Sequence, residues 1–251
     1  MSTFRETIAP LYAGIRELGR ELLRAETLAV LTVTVVLVTR YWLGYSPSGQ
    51  RALSGLWAWA SSLAPVLGHP VWQKQVIAVV LQLGVPLAMI ALVHRQRLGD
   101  FGLGPGRWRL WVPLSAVIFL VQGLVVLLIL RHDPAYVRRY PSFALAREGG
   151  ALFWTWEASR LAYMLSWEFL FRGYLLFALE KRLGYLALAV QTVPFVLWHI
   201  VGAKPISEIY FTIGSGLLSG FLVLVCRSIW PIVLLHALGA ILLDVALVYG
   251  R

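Results

Sequence analysis

Long apolar stretches dominate this sequence, and they restrict the fold more than any other feature. Mostly apolar residues run over 27–45, 72–93, 110–130, 151–178, 184–201, 206–226 and 229–249. A helix of about 20 such residues crosses the ~30 Å hydrocarbon core of a bilayer, and it satisfies its own backbone hydrogen bonds there. The sequence therefore predicts an all-α, polytopic transmembrane helix bundle. Seven spans are expected, and the shorter segment 53–68 is an eighth, an interfacial or a re-entrant helix.

The balance of charged and apolar residues also indicates a membrane protein. Hydrophobic residues make up 59% of the 251-residue chain and charged residues 14%, whereas soluble domains contain about 25% charged residues. The net charge is +10, but no basic run is interleaved with aromatic residues. We therefore expect Arg and Lys to mark cytoplasmic loops and the membrane surface. The predicted partner is the lipid bilayer and not nucleic acid, and the predicted location is the inner (plasma) membrane.

The N-terminal residues have the spacing of an amphipathic helix. Ile15 and Leu18 fall on one side of such a helix, whereas Arg16 falls on the other. A helix of this kind lies in the membrane interface. We therefore expect residues 1–26 to form an interfacial helix and residues 27–251 to form a single transmembrane domain.

Ionisable residues inside the predicted spans point to a functional site. Glu168 and Arg172 are four residues apart and so share a helix face, and His199 and His236 lie in two later spans. A charged side chain in the bilayer interior costs roughly 2.5–3.5 kcal/mol by insertion scales, and such residues usually serve a function. Each residue alone has a structural explanation, such as an ion pair between helices. Together they predict an intramembrane acid–base site.

The chemistry that these residues support is the activation of water. A carboxylate and a histidine can act as general base, and a second histidine can donate to a developing oxyanion. Glu157, about three turns before Glu168, and Asp244, two turns after His236, are further acids near these positions. One Glu and two His can also hold Zn²⁺, but their spacing matches no established zinc motif. We therefore predict no metal and no other cofactor.

At these residues the chain resembles the CAAX protease and bacteriocin-processing family of glutamic intramembrane proteases, which includes the type II CAAX prenyl endopeptidases. That family carries EExxxR, FxxxH and HxxxN/D motifs on separate transmembrane helices, in this order. The corresponding segments here are 167–172 (WEFLFR), 195–199 (FVLWH) and 236–240 (HALGA). The LGDFGLG sequence at 98–104 is similar to a short loop of the family. The resemblance covers about residues 95–250, the expected protease-like core.

The resemblance implies a division of roles. Catalytic roles fall to Glu168, His199 and His236, and the supporting residues are Arg172, Phe195, Trp167, Asp244 and Glu157. Glu168 and His199 would activate water, His236 would polarise the scissile carbonyl, and Arg172 would orient Glu168.

Two positions depart from the family motifs. Trp167 stands where the first Glu of the EE pair is expected, so Glu168 must act as base or Glu157 must reach the site. Ala240 stands in place of Asn or Asp, and Asp244 is one turn too far along to replace it. Loss of one oxyanion donor typically lowers a rate 10²–10³-fold.

The resemblance implies an intramembrane endopeptidase that cleaves a membrane-associated peptide or protein. Leader peptides, signal peptides and C-terminal anchors are the expected substrates, and anchor cleavage would give the enzyme a role in protein sorting. Trp167 and Ala240 keep a second hypothesis open, an inactive relative that serves as a membrane scaffold, immunity or partner-binding protein. A proton-coupled transporter is a third, and the lack of paired internal repeats argues against it.

Overall fold

A computed structural model describes residues 13–250, which form helices and no strand. In chain order the first helices are α1 (13–22), α2 (Ala25–Tyr45), α3 (Pro47–Ala52), α4 (Ser54–Leu63), α5 (Pro70–His94) and α6 (Trp108–Leu128). The others are α7 (Pro134–Arg139), α8 (Gly150–Glu168), α9 (Leu176–Leu183), α10 (Leu186–Val201), α11 (Ile206–Cys226) and α12 (Trp230–Val248). A π-helical segment, Phe169–Leu175, joins α8 to α9 without a break.

Five helices of the described chain are long and apolar enough to cross a membrane, namely α2, α5, α6, α11 and α12. This finding confirms the predicted all-α membrane helix bundle, and the number of seven or eight spans stays a prediction. The segment predicted at 53–68 contains α4, which has ten residues. At 1.5 Å per residue α4 rises about 15 Å, roughly half of the hydrocarbon core. A straight α4 is therefore too short to cross the bilayer.

The distribution of apolar residues is that of a bundle with lipid as its outer solvent. On α6 the side chains of Val117, Leu120 and Leu128 are 59%, 68% and 70% exposed. In contrast, all seven residues of the π-helical segment are buried. The helical segment that carries Glu168 and Arg172 therefore runs through the centre of the bundle. The apolar side chains on the outside of the bundle face the lipid.

Most residues of α1, the described part of the N-terminal segment, are exposed. Ile15 and Leu18 of α1 are 54% and 57% exposed, and Glu17 pairs with Arg20 on the same helix at 3.3 Å. An interfacial position would place the apolar side chains in lipid. The division into a surface helix and one transmembrane domain stays a prediction, and its residues 1–12 lie outside the described residues.

Glycines on α11 allow that helix to pack closely against α10. A Cβ at Gly216 would lie 2.8 Å from Thr192 Cγ2, and a Cβ at Gly220 would lie 2.8 Å from Leu188 Cδ2. The Gly216 carbonyl also accepts a hydrogen bond from Gln191 Nε2 at 3.0 Å. Small residues commonly permit such close approach between helices in membranes. These two glycines therefore serve helix packing.

We predict that Gly216→Ala destabilises the protein by about 1–3 kcal/mol, because the added methyl group overpacks the contact with Thr192. Gly214→Ala is the matched control, since nothing lies within 4 Å of a Cβ at that position and alanine is the better helix former. Thermal unfolding in detergent measures both variants. Equal unfolding midpoints would contradict the packing role.

Candidate active site

The centre of the site lies where α8 passes into the π-helical segment. Such segments often accompany functional sites, and α5 contains two more of them, Val80–Gly84 and Met89–His94. Gly173 lies within the segment that follows α8, and a Cβ there would approach Phe169 Cδ2 to 2.5 Å and the Phe101 carbonyl oxygen to 3.1 Å. The turn Leu98–Phe101 therefore packs directly on the π-helical segment, which links the LGDFGLG loop to the helix that carries Glu168.

Glu168 forms a buried ionic contact with Arg172. Arg172 Nη1 lies 3.1 Å from Glu168 Oε2, and both side chains are 1% exposed. The guanidinium carbon of Arg172 also lies 3.7 Å from the centre of the Phe195 ring. A cation on an aromatic face is attracted by the ring quadrupole. Phe195 and Glu168 together fix Arg172, and Arg172 in turn restrains the Glu168 carboxylate.

Glu168 also contacts His236, which α12 contributes. His236 Nδ1 and Glu168 Oε1 are 2.6 Å apart. A carboxylate only accepts hydrogen bonds, so the Nδ1–H of His236 donates to it. The second ring nitrogen of His236, Nε2, is left for other partners. The pair has the arrangement of the carboxylate and imidazole in a hydrolase triad.

His199 is held in a similar way by its own helix. Its Nδ1 lies 2.8 Å from the Phe195 carbonyl oxygen, which can only accept, so Nδ1–H donates. The ring also packs edge-on against Phe195 at 4.6 Å and against Trp167 at 5.8 Å between ring centres. Both histidines therefore have a fixed Nδ1 and an Nε2 that is not engaged by these partners.

A cavity of about 410 Å³ opens beside the two histidines, within the range of small-ligand sites. Its lining includes His199, His236, Trp167 and Trp198, together with residues from α2, α5, α8 and the loops around 140 and 202. Glu168 is 1% exposed and is not among the lining residues. The carboxylate therefore lies behind His236 as seen from the cavity.

Comparison with known families identifies this region of the chain. A family model described as type II CAAX prenyl endopeptidase Rce1-like matches residues 149–242. This segment is an Rce1-like domain. It runs from the start of α8 into α12 and contains Glu168, His199 and His236, and it is shorter than the expected core at 95–250. The chain is thus a multi-pass membrane protein with a domain of a protease family. No curated protein and no solved structure matches the chain.

Phe195 and Trp167 of the Rce1-like domain both pack against His199. Trp167 contacts Phe195 at 5.7 Å and Phe171 at 4.8 Å between ring centres. The residue that replaces the first Glu of the motif is therefore part of an aromatic cluster. His199 packs on that cluster, so the cluster holds its ring.

The predicted supporting acids Glu157 and Asp244 are placed elsewhere. Arg160 Nη1 lies 3.4 Å from Glu157 and forms a closer ion pair with Asp244. All three side chains are at most 7% exposed. Glu157 and Glu168 are eleven residues apart on α8, so they lie on a similar face of the helix. At 1.5 Å per residue, however, they are about 16 Å apart along the helix axis. Glu157 and Asp244 thus form their own buried cluster with Arg160.

Arg40 of α2 is a residue of the site that was not identified from the sequence, although it is ionisable and lies in a predicted span, as Glu168 does. Arg40 is an ionisable residue within the predicted span 27–45, and it is 4% exposed. Its Nη2 donates to the Tyr163 hydroxyl at 2.8 Å, and its guanidinium carbon lies 4.5 Å from the Trp198 ring centre. Arg40 lines the same cavity as His199 and His236.

A second polar cluster lies at the loop side of the cavity. The Tyr140 hydroxyl donates to Glu208 Oε2 at 2.7 Å, and Lys204 Nζ donates to the same hydroxyl and lies 3.1 Å from Glu208 Oε1. Burial, with the Glu208 carboxylate adding to it, raises the pKa of Tyr140 well above its ordinary value, so the phenol stays protonated. Burial lowers the pKa of Lys204, whereas Glu208 opposes that change. The charge of Lys204 is therefore compensated within the cluster.

Proposed function

We propose that the chain is an intramembrane endopeptidase of the inner membrane whose activity depends on Glu168, and that it hydrolyses a membrane-associated peptide or protein. The observation that carries this proposal is the buried set of contacts from Arg172 to Glu168 and from Glu168 to His236, which ends at a cavity also lined by His199. A carboxylate that orients a cavity-facing imidazole is an arrangement that activates water in hydrolases.

In the proposed reaction, His236 and not Glu168 removes the proton from water. Nε2 of His236 accepts that proton, while Glu168 holds the Nδ1–H tautomer. The hydroxide adds to the scissile carbonyl carbon, and the C–N bond then breaks as His236 returns the proton to the leaving amine. His199, through Nε2, is the second base that faces the cavity and positions the attacking water. Glu168 acts through His236 and is a positioning residue, which revises the base role expected from the motif.

We propose that the reaction needs no metal ion. Zinc sites in hydrolases use three protein ligands and one open position. Glu168 Oε1 and the two Nδ1 atoms are already engaged, so two imidazole Nε2 atoms remain. Among the described residues no group of three His, Cys, Asp or Glu could hold a metal ion.

The substrates that best suit this site are leader peptides, signal peptides and C-terminal membrane anchors. Such segments are apolar and reach a cavity enclosed by transmembrane helices, whereas a polar soluble peptide would have to leave water. Cleavage of C-terminal anchors would give the protein a role in protein sorting.

Hydrolysis by the purified full chain in proteoliposomes tests the proposal. A library of apolar peptides is incubated with wild type, His199→Phe and His132→Phe, and new termini are identified by mass spectrometry. His132 lies in the terminal turn after α6 and is exposed, so its variant is the matched control. We expect cleavage by wild type and His132→Phe, with or without EDTA, and none by His199→Phe. Equal cleavage by all three would contradict the proposal, and loss with EDTA would contradict metal independence.

A second function, an inactive scaffold that binds a membrane peptide, is favoured by one observation. Glu168 is 1% exposed and its contacts are those of an ion-paired core residue, while Trp167 fills the place of a second carboxylate. On this account the cavity binds a peptide without cleaving it. Binding without any new terminus in the proteoliposome experiment would support the scaffold.

A side-chain amide at position 240, where the family motif has Asn or Asp, is expected to donate to the oxyanion and to accelerate the reaction. Ala240 lies one turn after His236 and is half-buried. We predict that Ala240→Asn raises kcat by about 10–100-fold, because a single oxyanion donor is worth 10²–10³-fold in established enzymes. Initial cleavage rates of wild type, Ala240→Asn and the isosteric control Ala240→Leu measure the effect. A faster Ala240→Leu variant would indicate a packing effect and contradict the donor role.

A further inference from the structure

We propose that Arg40, together with Arg139 and Lys74, forms an anion subsite that binds a carboxylate of the peptide substrate within about three residues of the scissile bond. This inference rests on the proposed endopeptidase function. It assigns Arg40 a role in substrate specificity that lies outside the Rce1-like domain.

The charges around the cavity are unbalanced. Among the described lining residues five are Arg or Lys and none is Asp or Glu; the cations are Arg40, Lys74, Arg139, Arg160 and Lys204. Two of them have carboxylate partners behind the cavity wall, since Arg160 pairs with Asp244 and Lys204 pairs with Glu208. For the other three, no carboxylate of the described residues lies within ion-pair distance. Of these three, Arg40 is buried, whereas Lys74 and Arg139 are half-buried. Buried charges are usually paired, so the missing negative charge at Arg40 is expected from a ligand.

Arg40 has an unpaired hydrogen-bond donor that an anionic ligand could accept. Nη2 donates to the Tyr163 hydroxyl at 2.8 Å, whereas Nη1 is buried and donates to no acceptor of the described protein. Arg139 Nε and Trp156 Nε1, from two other lining residues, are buried donors of the same kind. Such donors match the several acceptor sites of a carboxylate, and the planar guanidinium of Arg40 suits it best.

The position of Arg40 relates the subsite to the proposed chemistry. Trp167 contacts both Arg40 and His199, with its ring centre 5.6 Å from the Arg40 guanidinium carbon and 5.8 Å from the His199 ring centre. These two distances bound the separation of Arg40 and His199 at about 11 Å, which is roughly three extended residues. A peptide is the favoured occupant because His199 and His236 line the same cavity.

A retention experiment on the full chain in phosphatidylcholine nanodiscs tests the subsite. The probe is a library of apolar hexapeptides, with and without Asp or Glu, synthesised both as C-terminal acids and as amides. Retained peptides and products are identified by mass spectrometry for wild type, Arg40→Gln, Arg40→Lys, Arg139→Gln and the exposed control Arg51→Gln. Thermal unfolding shows whether each variant is folded.

We expect wild type and Arg51→Gln to retain carboxylate-bearing peptides about tenfold above uncharged ones, the scale of one charge-assisted contact. Arg40→Gln should lose this preference, Arg40→Lys should keep part of it, and Arg139→Gln should weaken it even if Arg40→Gln fails to fold. If C-terminal amides that contain Asp or Glu are retained, the subsite binds a side-chain carboxylate. If only peptides with a free C-terminal acid are retained, it binds the C-terminal carboxylate.

Several results would overturn the subsite. They are equal retention of charged and uncharged peptides, an undiminished preference in folded Arg40→Gln and Arg139→Gln, and Arg40-dependent binding of added phosphatidylglycerol in place of peptides. Failure of the subsite is distinguishable from failure of the proposed function. Cleavage without a preference for carboxylates contradicts only the subsite, whereas retention of acidic peptides without cleavage contradicts only the endopeptidase.

Discussion

Glu168→Gln is expected to lower kcat by about 10³–10⁴-fold while leaving KM for the peptide nearly unchanged. The carboxylate that holds the Nδ1–H tautomer of His236 is replaced by an amide, and amide replacement of the corresponding triad carboxylate has an effect of this size. Because Glu168 does not line the cavity, substrate binding should be preserved. Cleavage kinetics in proteoliposomes measure both constants. The control is Glu180→Gln on the adjoining α9, a partly exposed residue that pairs with Arg227 and does not line the cavity.

The same substitution leaves Arg172 buried without its anion, so its effect on stability must be separated from its effect on catalysis. Breaking a buried ion pair from one side costs about 3–5 kcal/mol, whereas replacing both partners by uncharged residues can be neutral. We therefore expect the double variant Glu168→Gln/Arg172→Met to recover most of the unfolding midpoint and none of the activity. Recovery of activity in the double variant would show that Glu168 serves only to compensate Arg172.

Asp244→Asn is expected to destabilise the protein strongly and to leave the chemistry intact. Arg160 loses the closer of its two buried carboxylate partners and retains Glu157 at 3.4 Å. Because Glu157 still compensates the charge of Arg160, the cost is that of one hydrogen bond between charged groups, about 1.5–3 kcal/mol. This corresponds to an unfolding midpoint lower by roughly 6 °C for a chain of this size. Thermal unfolding in detergent measures the shift.

The exposed Asp100→Asn is the control for this prediction, since surface substitutions usually change stability by less than about 0.5 kcal/mol. Below its own unfolding temperature, Asp244→Asn should cleave peptides at close to the wild-type rate. A loss of kcat at normal stability would instead support the catalytic-support role that the sequence motif suggested for Asp244.

Features of this protein that depend on local spacing could be predicted from its sequence. The four-residue separation of Glu168 and Arg172 fixes their contact on one helical turn, and runs of apolar residues define the membrane helices. The convergence of His199 and His236 beside Glu168 is not set by spacing. It is expected because ionisable residues inside membrane spans usually serve a function, and because the order of the three motifs resembles that of a protease family.

Features that depend on how separate helices pack could not be predicted in this way. Periodicity does not specify the rotation of α12 against α8, which brings Asp244 to Arg160 and His236 to Glu168. Nor does it reveal that Arg40 of α2 reaches the aromatic rings of Trp167 and Trp198. The π-helical segment, too, has φ and ψ angles at its ends close to those of an ordinary helix, and no residue pattern in the sequence predicts it.

The measurement that tests the central claim most directly is a comparison of protein termini in native membranes. Membrane fractions of a deletion strain, complemented with wild type or Glu168→Gln at equal expression, are analysed by terminal proteomics. A small set of new termini that appear only with wild type is the predicted result, and it would also identify the substrates. Identical termini in both strains would contradict the assignment of this chain as an intramembrane endopeptidase that depends on Glu168.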